Sequence, residues 1–117
     1  MNNYKKLEIW KEAIDLASSV YQLSKKFPKD EIFGLTSQLR RCGVSIPSNI
    51  AEGSGRNSNK EFLHFLGIAR ASCCELETQL IIAEKLGYAK TLEIEPLILQ
   101  SSNISGMSVN LMKRLRS

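Results

Sequence analysis

The stretch that decides the fold is Gly34-Leu35-Thr36-Ser37-Gln38-Leu39-Arg40-Arg41-Cys42-Gly43, continuing Val44-Ser45-Ile46-Pro47-Ser48-Asn49-Ile50-Ala51-Glu52-Gly53. With Leu39 taken as the inward direction and a turn of about 100° per residue, Leu35, Thr36, Cys42, Gly43, Ile46 and Ile50 all fall within about 60° of it. That is one apolar face of a helix. Arg41, Ser45, Ser48 and Glu52 lie on the opposite side as a polar stripe without an aliphatic residue. Pro47 lacks an N–H, and its ring presses on the carbonyl four residues back, which belongs to Gly43. A residue without a side chain leaves the backbone room to bend, and Ser45 and Ser48 can satisfy the freed carbonyl. The expectation is one helix kinked near Pro47 rather than two helices.

Working outward, Phe27-Pro28-Lys29-Asp30 is a turn, because Pro28 ends the preceding helix. Asp30 or Lys29 then leads into the second helix, with Glu31 in its first turn. The first helix is expected from about Leu7 to Lys26. It carries two adjoining apolar stripes, Leu7, Trp10, Ile14, Ala17 and Tyr21 beside Ile9, Ala13, Leu16, Val20 and Leu23. A single bundle core needs only about 100° of each helix, so either a neighbouring subunit covers the extra face or this helix sits unusually deep. Gly53-Ser54-Gly55-Arg56-Asn57 reads as the flexible loop, and Ser58-Asn59-Lys60-Glu61 as a capping box that starts helix three. That helix runs to Leu86 before Gly87, with Phe62, Leu66, Ala69, Cys73, Leu76, Leu80 and Ala83 in unbroken 4-3-4-3-4-3 spacing. Leu63, Gly67, Cys74 and Ile81 leave a fainter apolar trace behind it. The fourth helix is expected to begin between Leu92 and Pro96, with Pro96 in its first turn. It continues through Leu97, Ile104, Leu111 and Leu115. Four helices joined by short connections, with no strand alternation, predict an all-α, up-and-down antiparallel four-helix bundle formed by residues 1–117 as one domain.

Several blocks carry a family resemblance. They are Gln38-Leu39-Arg40-Arg41, Ser45-Ile46-Pro47, Asn49-Ile50-Ala51-Glu52-Gly53, Ala69-Arg70-Ala71-Ser72 and Glu75-Leu76-Glu77-Thr78-Gln79-Leu80. Together they resemble the four-helix-bundle family encoded within intervening sequences of bacterial large-subunit ribosomal RNA genes, over nearly the whole chain from Leu7-Glu8-Ile9-Trp10 onward. The resemblance implies a small bundle that assembles into a ring-shaped homo-oligomer of five. It also implies relatedness to the accessory protein of diversity-generating retroelements, which binds nucleic acid and a reverse transcriptase.

Sixteen basic against twelve acidic residues give a formal charge of +4. That is compatible with polyanion binding but below the excess of a dedicated nucleic-acid binder, and oligomerisation would multiply it. No apolar run approaches about 18 residues and the N-terminus has no signal-like segment, so no membrane role and a cytoplasmic location are expected. Cys42, Cys73 and Cys74 lie in helical apolar surroundings and are expected as reduced thiols.

Catalytic chemistry finds little support. Glu61-Phe62-Leu63-His64 has a Glu-x-x-His spacing, but His64 is the one histidine and a di-iron site needs a second copy and two more carboxylates. Cys42 and Cys73 lie on apolar faces without an adjacent base. No enzyme activity, cofactor or metal is therefore expected. Gln38, Arg40, Asn49, Glu75, Glu77 and Gln79 flank the inward positions, either as a cross-helix network pairing arginine with glutamate or as a recognition surface. Candidate nucleic-acid contacts fall into three groups. Lys5, Lys6, Lys113, Arg114 and Arg116 sit at chain ends that the topology brings to one pole. Arg56 and Lys60 stand beside a helix start able to bind one phosphate. Arg41 lies on the outer stripe. The reading is a non-enzymatic homo-oligomer that binds structured RNA or DNA by its backbone, the alternative being a protein-interaction scaffold using exposed apolar faces. A ring of subunits, a nucleic acid and another protein such as a reverse transcriptase are the expected partners.

Overall fold

A helix with a 4-3 apolar seam cannot hide that seam alone, so its length dictates how long its partners must be. A computed structural model describes residues 3–117. In it, Asn59–Lys85 (α3) is the longest helix, packed between Leu35–Ser54 (α2) and Thr91–Arg116 (α4), with Glu8–Ser24 (α1) closing the bundle against α2 and α4. A short 3-10 helix, Tyr4–Lys6, precedes α1. All seven residues of the α3 seam are buried, with Leu66, Cys73, Leu76, Leu80 and Ala83 fully so. They meet Leu39, Ile46 and Ile50 of α2 and Ile94 and Ile104 of α4 in one core. Each such aliphatic contributes roughly 1.5 to 3 kcal/mol when fully buried.

The helices run antiparallel. At one end the Lys26 ammonium pairs with Glu93 at the start of α4, and the Phe27 ring packs on Tyr88 at 5.6 Å. At the other, the Asn59 amide donates to the Leu115 carbonyl (3.3 Å). The Ser58 hydroxyl accepts the Glu61 N–H (3.2 Å), as the capping signal predicts, although the Glu61 carboxylate meets the Ser58 hydroxyl rather than its N–H. α3 ends in a Schellman turn: Gly87 adopts φ +78°, its N–H bonds Glu84 O, and the Tyr88 N–H bonds Ala83 O.

Several boundaries differ from the sequence expectation. α2 starts at Leu35, not directly after Lys29 or Asp30. A 3-10 turn, Lys29–Glu31, intervenes, and the Glu31 carboxylate reaches forward to accept the Leu35 N–H (3.0 Å). Gly53 and Ser54 belong to the buried last turn of α2 rather than to a loop, because Phe62 and Phe65 of α3 press close there. Pro96 lies one turn inside α4, whose start at Thr91 is set by Glu93 accepting the Lys90 N–H (3.0 Å). α2 runs unbroken through Pro47. A Cβ at Gly43 would lie 3.5 Å from Val20, an ordinary van der Waals contact, so the space beside it accepts a methyl group. In α1 the core stripe is Ile9, Ala13, Leu16, Val20 and Leu23, whereas Ile14 and Tyr21 of the other stripe stay exposed.

Candidate nucleic-acid interface

An antiparallel bundle with an even number of helices returns its C-terminus to the pole where it began. Tyr4–Lys6, the end of α2, the start of α3 and the end of α4 therefore share one pole. Lys6 and Arg114 line one groove together with Glu8, Ile9, Met107, Asn110 and Leu111. The Lys5 backbone N–H donates to Asn3 Oδ1 (3.1 Å), which fixes the 3-10 turn. Its side chain stands 6.0 Å from the Tyr4 ring, and that ring meets Trp10 edge-on. Lys5, Lys6, Lys60, Lys113, Arg114 and Arg116 are all exposed, and none of them forms an ion pair among the described residues.

Arg56 is held differently. Its guanidinium pairs with Glu52 (3.1 Å) and lies 4.8 Å from the Phe65 ring, so a fixed plane sits beside the α3 N-terminus. The terminal segments, the outermost turns of the four helices and the α2–α3 connection together hold eight cations at this pole: Lys5, Lys6, Lys11, Arg56, Lys60, Lys113, Arg114 and Arg116. They face three carboxylates, Glu8, Glu52 and Glu61. The rest of the chain carries eight cations and nine carboxylates, so the whole formal +4 is a property of this pole. The sequence reading kept Arg56 and Lys60 apart from the chain ends; the topology brings them together. It leaves Arg41 out. Arg41 sits midway along α2, in a polar groove with Gln38, Ser45, Glu75 and Gln79.

The flanking polar residues do connect helices, but not as an arginine–glutamate network. Arg40 turns to α1, where its Nε–H donates to Ser24 Oγ (2.8 Å) and its guanidinium lies 4.9 Å from the Tyr21 ring. Glu75 accepts from the Cys42 thiol (3.2 Å), and Glu77 accepts from the Ser101 hydroxyl (2.8 Å). Asn49 stays within its own helix, donating to the Ser45 carbonyl (2.8 Å). Ser45 is not on a solvated stripe, since its hydroxyl bonds Ser72 of α3 (2.9 Å). Sequence reasoning missed Ser72, Ser101 and Ser108 as buried contacts between helices. A signal was present for the last two: Ile94, Leu97, Ser101, Ile104, Ser108, Leu111 and Leu115 keep a 3-4 spacing in which two serines replace aliphatics.

Burial and the Glu75 carboxylate push the Cys42 thiol up to about 12, and burial raises that of Cys73. Both are thus held as thiols. Cys74 is free and exposed. His64 packs on Phe65 at 5.3 Å, and among the described residues no cluster of three His, Cys, Asp or Glu side chains is placed to hold a metal. No helix among them is long and apolar enough to cross a membrane.

A four-helix antiparallel bundle with one strongly cationic pole is the class that fold and charge define. The chain belongs to the 23S rRNA-intervening sequence protein family, whose model matches residues 5–110. A crystal structure of a protein of unknown function from the S23 ribosomal protein family of Bacteroides thetaiotaomicron has the same fold. It shows a TM-score of 0.83 and 24% identity over 90% of this chain and 98% of that one. No curated protein matches the chain.

Proposed function

We propose that this bundle binds structured RNA or DNA through phosphate contacts at its cationic pole, without enzymatic activity and as a homo-oligomer that repeats the pole. The observation that carries the reading is the concentration of the entire net charge at one end, on ammonium and guanidinium groups that mostly lack internal partners. Membership of a family named for intervening sequences of 23S rRNA supports a nucleic-acid setting. Unpaired surface cations release condensed counterions from a phosphate backbone, each neutralised phosphate adding about 0.7 to 0.9 to the slope of log affinity against log salt. The test is a salt titration of RNA binding by the wild type and by a variant with Lys5, Lys6, Lys113, Arg114 and Arg116 all changed to Ser. A weaker affinity and a flatter slope support the proposal. Unchanged binding in that variant, with loss in Arg41→Ala, moves the contact to the α2–α3 groove.

A second reading, a protein-interaction scaffold, is favoured by Phe33, Leu92 and Leu99, which are 95%, 85% and 63% exposed. These lie away from the cationic pole, so a protein partner docked on them would leave that pole uncovered. Docking through such residues would be insensitive to salt.

A further inference from the structure

We propose that the opposite end of the bundle holds a binding site for a small carboxylate with a short apolar body, in the cavity between the end of α1, the Phe27–Ile32 connection and the first turns of α2. The cavity measures about 330 Å³, at the lower end of the range of ligand pockets. Phe27, Pro28 and Ile32 give it apolar walls, and no carboxylate lines it.

Its polar groups are donors in excess. Arg40 is fixed in place by a relay in which its Nε–H donates to Ser24 Oγ (2.8 Å) and the Ser24 hydroxyl donates to the Tyr21 carbonyl (3.2 Å). The Tyr21 ring packs against the same guanidinium. The two terminal nitrogens of Arg40 have no partner among the described residues. Thr36 also lines the cavity and is only 3% exposed; its buried hydroxyl has no hydrogen-bond partner among the described residues and reaches a ligand by rotation of the side chain about χ1. A buried hydroxyl with no partner costs about 1 to 3 kcal/mol, which a ligand oxygen would recover. Lys25 and Lys29 also line the cavity, exposed and without an ion pair among the described residues, whereas the adjacent Lys26 is already neutralised by Glu93. A planar guanidinium fork matches a carboxylate in two parallel hydrogen bonds, and the apolar walls call for a hydrocarbon attached to it.

The experiment titrates the full chain with sodium hexanoate and with 1-hexanol at matched ionic strength, following backbone amide resonances. Saturable shifts centred on Ile32, Thr36 and Arg40 are expected with hexanoate, at least tenfold tighter than with hexanol. Thr36→Val should weaken hexanoate about fivefold or more and Arg40→Gln about tenfold or more, because each removes a donor to a charged oxygen. If Arg40→Gln does not fold, the exposed pair Lys25→Gln and Lys29→Gln supplies the charge test, with an expected loss of about threefold. Equal affinity for hexanoate and hexanol, shifts located elsewhere, or inorganic phosphate binding as tightly as hexanoate would each overturn the assignment.

Discussion

Replacing Gly53 with Ala tests a close approach of α2 to α3. Gly53 lies in the last turn of α2 with ordinary helical backbone, so alanine meets no conformational barrier there. The obstacle is steric: a Cβ at this position would sit 2.7 Å from Phe65 Cβ, 2.9 Å from Phe62 Cδ1 and 3.4 Å from Phe62 Cα. Carbon atoms pack best at about 3.5 to 4.0 Å. The nearest of these contacts is to a Cβ, which moves only with its backbone, so α2 and α3 must separate at this end. Overpacking of this kind costs about 1 to 3 kcal/mol. Alanine's helix preference over glycine returns at most about 1 kcal/mol, and less near a helix end. The net expectation is a loss of about 1 kcal/mol or more, a fall in Tm of roughly 4 °C. Gly106→Ala is the control, since Gly106 is exposed within α4 and a Cβ there meets nothing within 4 Å. That change should raise stability by about 0.5 to 1 kcal/mol. Urea unfolding of the three proteins at one fixed protein concentration gives the comparison, because assembly makes stability depend on concentration. A Gly53→Ala protein as stable as the wild type would refute the close approach of α2 to Phe62 and Phe65.

Gly87→Ala should cost about 1 kcal/mol for a purely conformational reason, because φ is +78° and a Cβ there meets nothing within 4 Å; Gly87→Asn should recover part of the loss in the same denaturation assay. Glu31 accepts the Leu35 N–H and the Tyr88 hydroxyl (2.7 Å), and these two bonds hold its carboxyl below the ordinary value of 4.5. A depressed carboxylate stabilises the fold above its unfolded pKa and loses that contribution as pH falls through the folded one. Stability should therefore decline with acid below about pH 4.5, and Glu31→Gln should flatten that decline in a pH series of thermal midpoints.

The α3 seam was legible because its apolar spacing is unbroken, whereas in α1 two adjoining stripes are both apolar and the spacing does not say which of them faces the core. α4 was legible only in part. Its register is carried by Ser101 and Ser108 as much as by leucines, and a serine in a helix sequence does not announce whether it is buried. The start of α2 was misplaced because Glu31 caps it from four residues away in chain, across a 3-10 turn that Pro28 makes possible. The cationic pole follows from topology: once four antiparallel helices are granted, Arg56 and Lys60 must stand at the same end as Lys6 and Arg114.

The arginine–glutamate pairing failed for want of one piece of information, the direction in which the helices turn around the core. Gln38 and Arg40 flank the inward Leu39 at about 100° on either side, as Glu75 and Glu77 flank Leu76. In the structure Gln38 faces α3 and Arg40 faces α1, while Glu75 faces α2 and Glu77 faces α4. In an antiparallel bundle that turns the other way, every one of these flanks would exchange neighbours. Arg40 would then meet α3 and Glu77 would meet α2, which is the ion pair that the spacing suggested. Apolar periodicity is the same for both hands, so no count of heptads distinguishes them. The consequence reaches the candidate carboxylate site. Because Arg40 is turned away from both glutamates, its guanidinium is ordered by a serine and a tyrosine that carry no charge. Its positive charge therefore remains uncompensated at the cavity. Bringing a carboxylate to it from within the chain, by Ser24→Asp, should therefore close the cavity to hexanoate while leaving RNA binding at the far pole unchanged. Loss of both in that variant would show that the two ends are not independent.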